Sequence, residues 1–282
     1  MSYANPDALV STEWLAARLS DPVIALLDGT WYLPGQGDPR ADYEKAHIPG
    51  AAFFDIDAIA DRATDLPHML PDAETFARLV GALGVGNDSH VVVYDRQGVV
   101  SAARVWWEFR FFGHARVSVL DGGLPKWLAE GRPVESGIVT PKAKPYRARP
   151  NPGLVRSLDQ VRANLASRRE QVLDARTAGR FRGTEPEPRP GCRSGHIPGS
   201  LNLPYAKLFD RARKTMADDA GLAAAFRSAG IDLSRPVVTS CGSGITASVL
   251  ALGLHLIGHR DFAVYDGSWS EWGTRTDTPV ET

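Results

Sequence analysis

The sequence contains two similar halves, and this internal repeat restricts the possible folds more than any other feature. The segment His-Ile-Pro-Gly-Ala at 47–51 returns as His-Ile-Pro-Gly-Ser at 196–200, an offset of 196 − 47 = 149. Two further pairs are 26–30 with 172–176 (174 − 28 = 146) and 121–123 with 266–268 (266 − 121 = 145). Because the pairs occur in one order at nearly one spacing, the chain is a tandem duplication of a module of roughly 130–140 residues.

A proline-rich stretch separates the two copies. With 282 residues, 43% of them hydrophobic, the chain is long enough for two domains with cores of their own. Residues 141–153 contain four prolines and several basic residues, which is typical of a semi-rigid exposed connection. We therefore place the first domain at 1–140, a linker at 141–153 and the second domain at 154–282.

Each copy alternates short β-branched runs with helical patterns. Buried strands are predicted at 91–94 and 236–239, and helices at 73–80 and 158–165, with Asp72 and Ser157 as N-caps. This alternation predicts an α/β fold in which each domain has a mainly parallel central sheet flanked by helices.

The composition of the chain limits the partners and the cellular compartment that can be expected for it. A formal net charge of −1 argues against nucleic acid or a membrane surface as partner. No apolar run approaches the length that crosses a bilayer, and the first ten residues do not resemble a secretory signal. We expect a monomeric cytoplasmic protein. No metal site, nucleotide loop or flavin motif is evident, so no cofactor is expected.

Cys241 has the sequence context of a reactive thiol. It follows the predicted strand at 236–239 and precedes Gly242, Ser243 and Gly244, and a largely apolar helix is predicted to begin near Thr246. A glycine-rich turn into a helix N-terminus directs backbone N–H groups at one point and stabilises an anion there. We therefore expect Cys241 to exist largely as thiolate, the alternative being a small buried residue at a strand end.

The other cysteine and a related chemistry are weaker candidates. Cys192 lies in a loop with no strand before it or helix after it, and is expected to be an incidental exposed thiol. Cysteine-dependent phosphatases share the strand–Cys–loop–helix order, but they need an arginine about six residues after the cysteine. Residues 241–248 contain none, which disfavours that chemistry.

The segment Cys-Gly-Ser-Gly-Ile-Thr-Ala at 241–247 resembles the active-site loop of 3-mercaptopyruvate sulfurtransferases, members of the rhodanese superfamily. The resemblance extends to 180–189, to both His-Ile-Pro-Gly segments, to 105–107 and to 265–269. It implies two rhodanese-like domains, of which the second is catalytic and the first inactive. Asp95 stands where the first copy would need the cysteine, and we expect it to be an ordinary solvated residue.

The resemblance also implies roles for individual residues. Arg180 and Arg189 match arginines that hold the substrate carboxylate, and the adjacent Arg182 stays an alternative. The loop residues expected to contact the donor are Gly242, Gly244, Ile245 and Thr246.

A proton relay is also suggested for the family. Ser243, His47 and Asp38 are the residues that this sequence offers for it, with Asp42 as a competitor of Asp38. Against His47 stands the second His-Ile-Pro-Gly segment, since His196 repeats it and both histidines cannot be catalytic.

The predicted function is transfer of sulfur from 3-mercaptopyruvate, through a Cys241 persulfide, to a thiol such as thioredoxin or a low-molecular-weight thiol, or to cyanide. Pyruvate is the other product. Two alternatives stay open: a thiosulfate sulfurtransferase on the same fold, and a non-catalytic sulfur-sensing or binding module. Family members that prefer thiosulfate carry basic side chains directly after the cysteine, where this chain has Gly242 and Ser243.

Overall fold

The computed structural model describes residues 2–210 and 212–282. The two halves form two α/β domains, each with a five-stranded parallel sheet. The elements of the first domain are β1 (Leu9–Val10), α1 (Thr12–Ala16), β2 (Ile24–Asp28), α2 (Pro39–Lys45), β3 (Ala52–Phe53), α3 (Ala73–Ala82), β4 (His90–Tyr94), α4 (Ala102–Phe111), β5 (Val117–Leu120) and α5 (Gly123–Ala129).

The second domain repeats this plan and adds a short antiparallel hairpin. Its elements are β6 (Val155–Arg156), α6 (Leu158–Ser167), β7 (Gln171–Asp174), α7 (Ala178–Phe181), β8 (Leu201–Asn202), β9 (Phe209–Asp210), β10 (Thr215–Met216), α8 (Asp219–Ser228), β11 (Val237–Ser240), α9 (Ile245–Leu256), β12 (Phe262–Tyr265) and α10 (Ser268–Trp272). The strand orders, β1-β5-β4-β2-β3 and β6-β12-β11-β7-β8, correspond strand for strand. The predicted fold class is thus confirmed.

The helix caps and the buried strand that the sequence predicts are present in the structure. Asp72 accepts hydrogen bonds from the backbone N–H groups of Glu74 and Thr75 and so caps α3. Ser157 caps α6 in a reciprocal capping box with Gln160. Strand β11 is buried along its whole length, and α9 begins at Ile245, one residue before the predicted start.

The stretch between the domains is tied to the first of them. Residues 137–151 contain no helix or strand. The Lys144 N–H donates to the Gly81 carbonyl at 3.0 Å, and the Arg149 N–H donates to Phe112 at 2.9 Å. The Tyr146 ring packs edge-on against Phe76 at 6.0 Å. These contacts hold the chain along the first domain before the second one starts.

Helices α4 and α9 pack against each other between the two sheets, so one hydrophobic core runs through both domains. Five tryptophans are fully buried and act as packing anchors, as expected: Trp106, Trp107, Trp127, Trp269 and Trp272. Since the loop after β4 precedes α4 and the loop after β11 precedes α9, this packing places the two loops side by side. Within the described residues, no helix has the length and apolarity needed to span a membrane.

Candidate active site

Cys241 lies in the tight turn between β11 and α9. Its side chain is almost completely buried, with 1% of its surface exposed. Gly244 has a left-handed backbone (φ +84°) and stands at the N-cap of α9. Its N–H donates to Cys241 Sγ at 3.1 Å. The predicted geometry, with a backbone donor and a helix N-terminus directed at the sulfur, is therefore present.

Helix α10 holds the outer side of this loop. The Ser268 hydroxyl accepts from the Cys241 N–H at 3.1 Å. The Ser270 N–H and hydroxyl both donate to the Gly242 carbonyl, at 2.8 and 2.6 Å. The Gly242 carbonyl is thus bonded to α10, and the Gly244 N–H is the loop donor that faces the sulfur.

A cavity of about 260 Å³ opens at the Cys241 loop between the two domains. The second domain contributes Ala175, Arg176, Thr177, Arg180, Pro188, Arg189, Tyr205, Cys241, Gly242, Ser243, Ile245 and Thr246. The first domain contributes Trp31, Leu33, Gln36, Gln97 and Val100. Of the predicted site residues, Arg180, Arg189, Gly242, Ser243, Ile245 and Thr246 line the same cavity as Cys241, whereas Gly244 faces the sulfur through its backbone.

Arg180 is largely neutralised within the protein. Its Nε and Nη2 donate to the two carboxylate oxygens of Glu187, at 3.1 and 2.5 Å. Glu187 also accepts from Arg176 Nη1 at 2.7 Å, and Arg176 forms a bidentate pair with Asp174. Two carboxylates therefore balance these two arginines, which leaves Nη1 of Arg180 for other partners.

Arg189 has a different environment. Its Nη2 lies 3.2 Å from His68 Nε2, and among the described residues no carboxylate forms an ion pair with it. Burial lowers the pKa of its guanidinium, while the neighbouring Cys241 and Cys192 sulfurs act to raise that pKa. A Cβ atom at Gly242 would lie 3.9 Å from Arg189 Nη1 and 3.1 Å from Arg180 Nη2. Both arginines thus reach the Cys241 loop. Among the described residues Arg189, unlike Arg180, forms no direct ion pair with a carboxylate, although the charge of Asp57 also acts to raise its pKa. The adjacent Arg182 is exposed and does not line the cavity.

The structure corrects the predicted relay through His47 and Asp38. The buried His47 ring places Nδ1 2.9 Å from the Tyr43 carbonyl and Nε2 3.3 Å from Glu135 Oε1. Asp38 is the N-cap of α2, where it accepts from two backbone N–H groups. The competing Asp42 bonds Tyr32 and Lys45. None of these three residues lines the Cys241 cavity.

The repeated histidine explains why His47 is structural. His196 makes the same kind of contacts in the second domain, with Nδ1 2.8 Å from the Phe181 carbonyl and Nε2 3.7 Å from Glu281. Glu135 and Glu281 are themselves related by the repeat, since 281 − 135 = 146. Each histidine fastens the last segment of its domain to the His-Ile-Pro-Gly turn.

His68 is the histidine that the structure places beside the site, and the sequence analysis missed it. It is buried, its backbone is left-handed (φ +61°), and its ring meets Trp31 edge-on at 4.7 Å. Nδ1 lies 2.9 Å from Asp57 Oδ1, and Nε2 lies 3.2 Å from Nη2 of Arg189. His68 does not itself line the cavity, but Arg189 does, so His68 stands directly behind the cavity wall. Burial lowers the pKa of His68, and the neighbouring Asp57 acts in the opposite direction.

The repeat itself contains a signal that reduces the candidate histidines to His68, His90 and His255. Of the seven histidines, His47 and His196 form one repeated pair, and His114 and His259 form another at 259 − 114 = 145. Repeated histidines serve the common fold, so the unrepeated ones are better candidates for chemistry found in one domain. At 214 − 68 = 146, His68 stands opposite Lys214, whose backbone is also left-handed (φ +56°).

Asp95 is not the solvated residue that we expected, because it is fully buried. Its Oδ1 accepts from the N–H groups of Gln97 and Gly98, at 2.8 and 2.6 Å, and its Oδ2 accepts from Ala102 at 2.8 Å. Burial raises the pKa of this carboxyl, and the three N–H donors act in the opposite direction. The first domain thus keeps the anion-binding turn and fills it with a side chain of its own.

Cys192 is half-buried rather than exposed, and it packs against the core around Trp269. Burial raises the pKa of its thiol. This is the environment of an unreactive cysteine.

Comparison with known proteins agrees with this architecture. A rhodanese-like domain model matches residues 11–130 and again 157–275. Human 3-mercaptopyruvate sulfurtransferase is 48% identical over 95% of this chain and 92% of its own length. Rat thiosulfate sulfurtransferase is 45% identical over 98% and 94%.

Among solved structures, SseA from Escherichia coli, a 3-mercaptopyruvate sulfotransferase, superposes with a TM-score of 0.85 at 38% identity. The match covers 93% of this chain and 98% of that one. Two domain matches and full-length relatives lead to one conclusion: the chain belongs to the rhodanese family of sulfurtransferases.

Proposed function

We propose that the protein transfers sulfur from 3-mercaptopyruvate, through a persulfide on Cys241, to a thiol or to cyanide, and releases pyruvate. Overall identity does not select the donor, because relatives named for 3-mercaptopyruvate and for thiosulfate are 48% and 45% identical. The observation that carries the proposal is that Arg189 lines the Cys241 cavity and, among the described residues, forms no direct ion pair with a carboxylate.

The proposal follows from where the donor's charge lies. Mercaptopyruvate carries its carboxylate at the end opposite to its sulfur, so a planar guanidinium that lines the cavity can hold the carboxylate in a bidentate contact while the sulfur meets Cys241. Thiosulfate is a compact dianion whose charge lies next to the transferred sulfur. The neutral Gly242 and Ser243 offer that dianion backbone dipoles and no side-chain cation.

The chemistry proceeds in two displacements. The Cys241 thiolate attacks the donor sulfur, the carbon–sulfur bond breaks, and its electron pair leaves on carbon as the enolate of pyruvate. The proton of the donor S–H moves to that carbon, which leaves a persulfide anion on Cys241. The thiolate of an acceptor, thioredoxin or a small thiol, then attacks the outer sulfur and returns Cys241 as thiolate.

The residues around the cavity have separate tasks in these steps. The Gly244 N–H and the N-terminus of α9 stabilise negative charge on the Cys241 sulfur before and after transfer. We infer that His68, which lies between Asp57 and Arg189, moves the proton between sulfur and carbon, together with the Ser243 hydroxyl. The cavity draws its lining from two domains of one chain, so a monomer is sufficient for the proposed activity.

The donor ratio tests the function directly. With cyanide as common acceptor at one pH, the wild type is expected to show a higher kcat/KM for mercaptopyruvate than for thiosulfate. Arg189→Ala is expected to lower kcat/KM for mercaptopyruvate about ten- to a hundredfold, since a charge-assisted contact is worth roughly 1.5–3 kcal/mol. Pyruvate and thiocyanate are measured in the same samples.

Arg182→Ala is the matched control for this loss, because Arg182 belongs to the same segment and does not line the cavity. It should leave both values near those of the wild type. A wild type that favours thiosulfate would make the protein a thiosulfate sulfurtransferase. Absence of turnover with either donor would favour a sulfur-binding module.

A histidine pair tests the proton-moving group. His68→Asn is expected to lower kcat about 10²- to 10⁴-fold, the usual contribution of general acid–base catalysis. His47→Asn is expected to lower the melting temperature and to leave kcat nearly unchanged, because His47 bonds Tyr43 and Glu135 away from the cavity. Steady-state pyruvate release measures both. Equal kcat values for the two variants would remove His68 from the mechanism.

A further inference from the structure

A buried arginine of the first domain connects the two catalytic segments. Arg104 belongs to α4 and has 0% of its surface exposed. Its three nitrogens donate to three different groups: Nε to Glu108 Oε1 at 2.7 Å, Nη1 to Asp266 Oδ1 at 2.6 Å, and Nη2 to the His68 carbonyl. Its guanidinium also lies 4.6 Å from the centroid of the Trp107 ring.

The same guanidinium lies against the Cys241 loop. A Cβ atom at Gly244 would come within 2.6 Å of Arg104 Nη1, so glycine at this position is what permits the approach. Gly244 is the residue whose N–H donates to Cys241 Sγ. Arg104 therefore contacts both the backbone of His68, from the first domain, and the turn that directs a donor at the nucleophile.

Asp266 closes this connection from the second domain. Its Oδ1 pairs with Arg104, and its Oδ2 accepts from the Leu70 N–H at 2.8 Å, two residues after His68. Its carbonyl oxygen would lie 3.1 Å from a Cβ atom at Gly244. The His68 segment is thereby held at two backbone points by a buried ion pair that also abuts the catalytic turn.

The repeat shows which of these contacts occur in both halves of the chain and which occur in only one. In the other half, Asp121 stands for Asp266 and accepts from the Met216 N–H at 2.8 Å, where 216 − 70 = 146. At offsets of 145 and 146 the positions opposite Arg104 are Val249 and Leu250, both apolar. The aspartate that accepts from a backbone N–H of the other domain is therefore present in both halves. The arginine is present in only one place, where it contacts the Cys241 turn.

We propose that Arg104 is a positioning residue for sulfur transfer, which holds His68 and the Gly244 turn in register across the domain interface. The inference rests on the proposed roles of Cys241 and His68 and does not depend on which donor the enzyme prefers. Three donors in a fixed fork are required for this arrangement, so lysine, which has one charged nitrogen, cannot replace arginine here.

The test compares Arg104→Lys and Asp266→Asn with Asp121→Asn, assayed with whichever donor the wild type uses best. Asp266→Asn keeps the size of the side chain and serves if the lysine variant does not fold. Asp121→Asn makes the same substitution at the corresponding aspartate of the first domain, where it removes the negative charge from an interdomain contact that involves neither Arg104 nor the Cys241 turn. The fraction of Cys241 that forms persulfide gives the active-site concentration, and thermal unfolding gives stability.

We expect Arg104→Lys and Asp266→Asn to lower kcat per active site about 10- to 100-fold, because small displacements of reacting groups have effects of this size. KM for the donor should change less than kcat, since neither donor-binding arginine is substituted and Arg180 stays held by Glu187. Asp121→Asn should lower the melting temperature without changing kcat. The proposal is overturned if kcat per active site is unchanged in the first two variants, or if Asp121→Asn lowers it equally.

Discussion

Replacing Cys241 with serine is expected to abolish sulfur transfer, while Cys192→Ser should retain nearly all of it. A serine hydroxyl is a weak nucleophile near neutral pH, and its oxygen cannot hold a sulfane sulfur that the next thiol removes. The environments of the two cysteines differ accordingly. Cys241 faces the Gly244 N–H and lines the cavity, whereas burial raises the pKa of the Cys192 thiol.

Mass spectrometry measures this prediction without a turnover assay. After treatment with donor and removal of its excess, one added sulfur atom is expected on the peptide that contains Cys241. The Cys192→Ser protein should gain the same mass, and the Cys241→Ser protein should gain none. An added sulfur on Cys192 in the wild type would refute the assignment of the nucleophile.

The parts of the fold that follow from local pattern were predictable. Asp72 and Ser157 start helices because their side chains cap the first turn, and this needs only the adjacent sequence. The reactive loop was equally local, since strand, cysteine, glycines and helix follow one another directly. Because the chain is duplicated, each prediction made for one half also applied to the other half.

The contribution of the first domain to the site was not predictable in this way. His68 lies between β3 and α3, in a stretch without helix or strand, and reaches Arg189 across 121 positions of sequence. Its position depends on contacts with Arg104 and Asp57, which no local periodicity encodes. The His-Ile-Pro-Gly motif makes His47 a conspicuous candidate for the proton relay. A motif present in both domains, however, indicates a shared structural task.

Asp95 shows the same limit in the silent half. Its place at a strand end indicated solvent exposure, but the turn around it closes on the carboxylate. An anion-binding turn with no anion would leave backbone N–H groups buried and unpaired. In the first domain the Asp95 carboxylate therefore accepts the hydrogen bonds of the turn, as the Cys241 thiolate does in the second domain. The carboxylate has no catalytic role there.

This role predicts a large loss of stability for Asp95→Ala. The variant leaves three N–H groups without an acceptor: those of Gly98 and Ala102, which are buried, and that of Gln97, which is partly buried. At about 1–3 kcal/mol for each unpaired donor, and allowing for partial rescue by water, we expect a decrease of about 3–5 kcal/mol in the free energy of unfolding. Urea unfolding followed by tryptophan fluorescence measures it.

Asp72→Ala is the matched control, since Asp72 also accepts from two backbone N–H groups but lies exposed at the start of α3. Water replaces the lost acceptor there, so the decrease should be several times smaller. Equal losses in the two variants would mean that the turn around Asp95 is open to solvent. Because Gln97 and Val100 of this turn line the Cys241 cavity, Asp95→Ala should also raise KM for the donor. The first domain would then affect catalysis through the residues with which it lines the cavity, and the buried Asp95 carboxylate would keep those residues in place.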